Sequence, residues 1–125
     1  MKILIVIALG GALGAVVRYA TSVGIHSITG YDFPYGTLVV NVAGSLAIGV
    51  LYVVIIESGP GLAHYRAPLM VGLLGAFTTF SAFSLETIHL MEAGNILKAG
   101  ANVVLNVVLC LGACWAGLVL GRYHY

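Results

Sequence analysis

Charged residues punctuate this chain at long intervals, and the stretches between them are apolar without alternation. No charge falls between Lys2 and Arg18, between Asp32 and Glu57, between Arg66 and Glu86, or between Lys98 and Arg122. Each interval approaches the roughly 20 residues that an α-helix needs to cross a hydrocarbon core. The pattern predicts four spanning helices: Ile3–Val23, Thr37–Ile56, Ala67–Met91 and Ala99–Gly121. Strands of a β-barrel would alternate apolar and polar residues, so that architecture is excluded. Turn residues mark the connections: Gly30, Asp32 and Pro34 within 24–35, the cluster Ser58-Gly59-Pro60-Gly61, and Ala93-Gly94-Asn95.

Composition agrees. Of 125 residues, 61% are hydrophobic and 7% charged, where a soluble domain carries about 45–50% and about 25%. So short a chain cannot hide that much apolar surface from water. The lipid bilayer is therefore its first partner, and the expected fold is an all-α, multi-pass integral membrane protein of the cell (inner or plasma) membrane, one domain over 1–125. The net charge of +1 and the scattered cations exclude a nucleic-acid surface. The first span resembles a secretory leader only superficially, because Gly10 and Gly14 form a small-xxx-small packing motif and no soluble domain follows. With four spans, Lys2, Arg66 and Arg122 lie towards one side and Arg18 and Lys98 towards the other. Three cations against two give little orientational bias, so insertion both ways round is expected.

Polar groups within hydrocarbon are functional candidates by default. In the second span Thr37, Asn41, Ser45 and Gly49 recur every four residues, hence on one helical face. The fourth span repeats the device with Asn102, Asn106, Cys110 and Cys114. Two such stripes serve either as interhelical hydrogen-bonding seams or as a path for a small ion, and their pairing favours the path. The cysteines lack further ligands at metal-binding spacing and read as small apolar or weakly polar residues. In the third span, residues 72–84 contain two glycines, two threonines and two serines, with Phe80 and Phe83 among them. Glycine weakens a helix and hydroxyls can satisfy backbone groups freed by a break, so this span is expected to be interrupted. Freed carbonyls would suit a hard cation such as Na⁺. Phe80 and Phe83 share a face, and the electropositive edge of a ring can face an anion. Beside Asn41, whose amide carries two donors, they would form an anion lining without a fixed cation to trap the ion.

The residues Gly10-Gly11-Ala12-Leu13-Gly14-Ala15-Val16-Val17-Arg18-Tyr19, Gly36-Thr37-Leu38-Val39-Val40-Asn41-Val42-Ala43-Gly44 and Thr78-Thr79-Phe80-Ser81-Ala82-Phe83-Ser84-Leu85-Glu86 carry a resemblance to a known family. In order, spacing and chain length the sequence resembles the Fluc fluoride channels, also called CrcB-like proteins, over essentially its whole length. The resemblance implies an antiparallel, dual-topology homodimer with two pores that export fluoride down its gradient. It implies that Asn41, Phe80 and Phe83 contact or line the fluoride pathway, with Ser81, Thr37 and the Asn102–Asn106 face beside it. Gly75 and Thr78 match positions whose backbone carbonyls hold a central structural Na⁺. Arg18 matches an arginine near the end of the first span, and Glu86 a carboxylate that closes the third motif; each serves either at a vestibule or as a snorkelling charge at a helix end. Two positions depart from the family pattern: Ala76 replaces a glycine, which fits only if that residue needs no positive φ, and Ala82 replaces a threonine.

The competing reading is a small dual-topology multidrug or cation exporter. Such exporters carry an acidic residue in the first span, where this chain has Arg18 and no acid. No Ser–His pair, acid pair or histidine cluster is placed for catalysis, so an enzyme is not expected.

Overall fold

The computed structural model covers all 125 residues and is helical throughout. Helix α1 spans Lys2–Thr29. Helix α2 spans Tyr35–Tyr52 and runs on through wide π turns at Val53–Glu57. Gly59, at φ 111°, reverses the chain into a 3₁₀ segment, Pro60–Tyr65. Helix α3 occupies residues 66–77, with π turns over Arg66–Leu74 tightening to α geometry at Gly75–Phe77. Helix α4 is Phe80–Glu92 and α5 is Ile96–His124. Four stretches are long and apolar enough to cross a membrane, with α3 and α4 together supplying the third. The protein is a multi-pass membrane protein.

The spans are longer than hydropathy alone predicts. Helix α1 continues six residues past Val23, because Gly24 meets no neighbour and a helical glycine costs only about 1 kcal/mol. Ser27 and Thr29 fold their hydroxyls back onto the Gly24 and Ile25 carbonyls at 2.6 and 3.0 Å. The helix stops at Gly30, whose φ of 77° suits no other residue type as well. At 1.5 Å per residue, α1 and α5 are each about 42 Å long, so their ends pass beyond a hydrocarbon core of about 30 Å.

Only 19 of the 125 residues are buried, and the large apolar side chains of α1 and α5 point outward. Such a surface is matched by lipid tails, which leaves close backbone packing rather than the hydrophobic effect to hold the helices together. Helix α1 crosses α3 at Gly10, Gly14 and Gly72; a Cβ at Gly14 would strike the Leu73 carbonyl. Helix α2 crosses α5 at Gly49 and Gly117, where a Cβ at Gly117 would strike the Leu46 carbonyl. Beyond that crossing, Arg122 forms a two-pronged ion pair with Glu57 at 2.7 and 3.1 Å and ties the end of α5 to the end of α2. Gly75, where the interruption is expected to begin, is itself helical at φ −60° and ψ −35°; the extended residues are Thr78 and Thr79. No residue other than glycine has positive φ, so Ala76 sits in the helix without strain.

The α2–α5 crossing generates a test. Gly117→Val should destabilise the folded protein by about 1–3 kcal/mol through overpacking. Gly112→Val, where an added Cβ meets open space, should leave thermal unfolding in detergent nearly unchanged. Equal melting temperatures for the two variants would show that the helices cross elsewhere.

Candidate functional site

The third span stops being helical at Thr78 (φ −84°, ψ 154°) and Thr79 (φ −150°, ψ 116°). In a continuous helix the Thr79 N–H would donate to the Gly75 carbonyl and the Phe80 N–H to that of Ala76. Backbone groups detached in this way inside hydrocarbon need other partners. Thr78 stays attached to α3, its N–H and hydroxyl both donating to the Leu74 carbonyl at 3.1 and 3.0 Å. Thr79 becomes the N-cap of α4: its hydroxyl oxygen accepts from the Ala82 N–H at 3.2 Å and lies 3.2 Å from Ser81 Oγ. From the opposite side, Arg18 Nε donates to the Ala76 carbonyl at 3.1 Å.

Asn41 holds the backbone of Thr79 at both its N–H and its C=O. Its Oδ1 accepts the Thr79 N–H at 2.8 Å, and its Nδ2 donates to the Thr79 carbonyl at 3.1 Å. The second Nδ2 hydrogen goes to Asn106 Oδ1 at 3.3 Å. Asn106 Nδ2 then donates to the side-chain and backbone oxygens of Asn102, both at 2.9 Å. Asn102 Nδ2 donates to Thr87 Oγ1 at 2.9 Å, and Thr87 donates to the Phe83 carbonyl at 2.7 Å. A backbone N–H begins this chain and a backbone C=O ends it, so every amide within it has a fixed sense. Asn102, Asn106 and Thr87 are buried, where an unmet polar group would carry its full desolvation penalty.

A cleft of about 410 Å³ opens beside the junction. It gathers Asn41, Asn106, Phe80, Phe83, Gly75 and Thr78 from the predicted set, together with Thr79, Ser45, Met70 and Cys110. Phe83 is buried while Phe80 is 78% exposed, and the two ring centroids lie 5.3 Å apart with planes tilted by 53°. The start of α4 also faces this region, and the first N–H groups of a helix carry partial positive charge. The cleft thus presents aromatic rings, hydroxyls and a helix N-terminus with no acidic or basic side chain in its wall, an environment compatible with a small anion.

The remaining predicted residues lie outside the cleft lining. Thr37 sits one helical turn before Asn41, and its hydroxyl donates to Glu86 Oε1 at 2.6 Å. The other carboxylate oxygen of Glu86 is buried without a partner in the chain. Ser81 is exposed next to Thr79. Arg18 is at mid-span against α3, not at a helix end. Asn102 lies behind Asn106, 1% exposed, as a support rather than a wall. Thr87 escaped the sequence reading, and Thr79 and Gly44 stood in its motifs without a role of their own. Thr87 completes the amide chain, and its signal is the four-residue spacing from Phe83. Thr79 supplies the backbone N–H and C=O that Asn41 holds. Gly44 lets α2 approach the junction, since a Cβ there would run into the Thr78 methyl.

The sequence model of the family described as CrcB-like protein, Camphor Resistance (CrcB), matches residues 5–118. The chain is similar to a protein of Methylococcus capsulatus (strain ATCC 33009 / NCIMB 11132 / Bath) named fluoride-specific ion channel FluC, at 55% identity over 119 residues, which cover 95% of this chain and 52% of that protein. Proteins of the same name from Coxiella burnetii (strain Dugway 5J108-111) and Shewanella oneidensis are 44% and 48% identical, covering 94% and 98% of this chain and 96% and 99% of theirs. The chain therefore spans about half the length of the Methylococcus relative and nearly all of the other two.

The amide chain makes Thr87 a sensitive position. Thr87→Val should lower stability by about 1–2 kcal/mol, because it leaves the buried Asn102 amide without its acceptor. Thr87→Ser should restore the loss, and Ser27→Ala, at an exposed hydroxyl, should change stability by less than about 0.5 kcal/mol. Thermal unfolding of the three purified variants checks the order.

Proposed function

Because this chain belongs to the CrcB-like family, we propose that it is a fluoride-selective ion channel. Hydrogen fluoride crosses membranes as a neutral molecule and ionises in a less acidic cytoplasm, where the anion is trapped; a channel in the cell membrane releases it down its electrochemical gradient. The observation that carries this reading is the cleft at the Thr78–Thr79 junction, where Phe80 and Phe83 stand beside the N-terminus of α4 with no fixed cation in the wall. Fluoride is small and strongly hydrated, so replacing its water requires several weak donors at close range rather than one strong charge. Both N–H groups of Asn41 are engaged by Thr79 and Asn106. Its first role is to hold the junction open, and contact with an ion requires it to exchange one of those bonds.

The working unit in this reading is an antiparallel homodimer. The outward position of Phe80 supports it, since a bulky ring at the edge of a mid-membrane cleft is left for a second copy to cover. A central Na⁺ would be held by the backbone carbonyls of Gly75 and Thr78. The donor set fits: Gly75 has lost its intrahelical donor to the junction, and neutral carbonyl oxygens suit a hard cation. When bound, that ion would supply fixed positive charge between the two halves of the third span. With Arg18 at mid-depth, Lys2, Arg66 and Arg122 face Lys98 alone, so the two orientations need not be equally populated.

Two measurements test this reading. Purified protein in liposomes should pass fluoride and scarcely pass chloride, and Phe80→Ile should lower fluoride flux per folded dimer at least about fivefold by removing the ring edge. Equal fluoride and chloride fluxes would overturn the assignment. Reporters fused after Tyr125 should reach both sides of the membrane, with the termini-inside form in excess; a single orientation in every chain would overturn the antiparallel homodimer.

A further inference from the structure

A second recess lies far from the ion pathway, where the first turns of α1 meet the start of α3. It has a volume of about 520 Å³ and is lined by Lys2, His64 and Arg66 at its rim and by Ile3, Val6 and Val71 on its floor. Neither cation has a carboxylate partner. Of the four acids in the chain, Glu57 is taken by Arg122, and Asp32, Glu86 and Glu92 are absent from the recess. The unpaired positive charge at the termini end of the molecule is thus gathered around one opening.

The floor has the opposite character. Ile3 and Val71 are 58% and 52% exposed, and both belong to helices that continue into the hydrocarbon. From Lys2 to Val6 the helix descends about 6 Å, and from Arg66 to Val71 a similar distance. The recess therefore runs from a cationic rim at headgroup level to an apolar slot one or two turns deeper. Deeper in, the recess is closed where the Pro68 carbonyl of α3 packs against Gly10 of α1.

We propose that this recess is a binding site for an anionic phospholipid, with the phosphate against Lys2 and Arg66, His64 at the edge, and the first part of an acyl chain along Ile3, Val6 and Val71. Charge complementarity selects the occupant. A zwitterionic lipid would bring its own cation towards two uncompensated ones, and free phosphate would leave the apolar slot wet. Basic recesses between spanning helices hold acidic headgroups in this way. The site does not depend on which ion the protein conducts.

Native mass spectrometry of the purified protein, with phosphatidylglycerol and phosphatidylcholine supplied at equal concentration, tests the proposal. Phosphatidylglycerol should be retained preferentially. Each cation near an anionic headgroup contributes about fivefold, so Lys2→Gln together with Arg66→Gln should weaken retention about 25-fold, while Lys98→Gln at the other end should leave it unchanged. Val6→Trp, which keeps both cations and fills the slot, should also weaken it. Equal retention of the two lipids, or full retention by the double variant, would overturn the site. Displacement of the lipid by millimolar inorganic phosphate would show that the rim recognises a soluble anion instead. A change of oligomeric state in the double variant, by size-exclusion chromatography, would show that a second copy occupies the recess.

Discussion

Everything at the centre of this molecule depends on how the backbone of one residue, Thr79, is satisfied in a place without water. Where α3 gives way to α4, the Thr79 N–H loses its helical partner at mid-span, and a bare N–H there would be costly in hydrocarbon. Asn41 meets that N–H and the C=O of the same residue with one amide. No other neutral side chain of that length offers a donor and an acceptor side by side to match the C=O and N–H of one residue, glutamine being one carbon longer. The extended residues, the N-cap on α4 and the exposed ring of Phe80 all follow from that grip. On the far side Arg18 does the same for Ala76 with a charged donor.

The helix crossings set the stage for this contact. Asn41 reaches Thr79 because Gly44, one turn further on, allows α2 to lie against the junction, and α2 keeps that position through its glycine contact with α5. Helix α3 is held from behind by α1 through Gly10, Gly14 and Gly72. Small residues therefore do different work along the same spans: at the crossings they bring backbones together, while at 72–78 they accompany a change of backbone direction. Family membership and the cleft bear on function from separate directions, one through homology and the other through the kinds of group that face the space.

Much of this was legible in the residue order. Charge intervals gave the number of spans, and four-residue spacing gave the two polar faces that meet in the structure through Asn41 and Asn106. The ends of α1 were not legible, since Gly24, His26, Ser27 and Thr29 read as a loop by composition yet stay helical by bonding their hydroxyls to the preceding turn. Nor was the division of the stripes. Thr37 goes to Glu86 and Asn41 to the junction, while Gly49 serves the α5 crossing; that depends on the angle at which helices meet, which no spacing encodes. Thr87 was overlooked because a helical threonine bonding its own preceding turn is ordinary, and only the arrival of Asn102 gives it a longer reach.

The fixed sense of the amide chain has a dynamic consequence. A track of hydroxyls can reorient group by group, each O–H swinging to follow a passing charge. Here Asn41, Asn106 and Asn102 are wired between a backbone N–H that can only give and a backbone C=O that can only receive. Turning any one amide over would set donor against donor on one side and acceptor against acceptor on the other. The array behaves as a frozen dipole with one ground state, and it is poorly polarisable. The freedom to reorient beside the cleft is left to the hydroxyl of Ser45 and the exposed ring of Phe80, and the rigid array lies behind them.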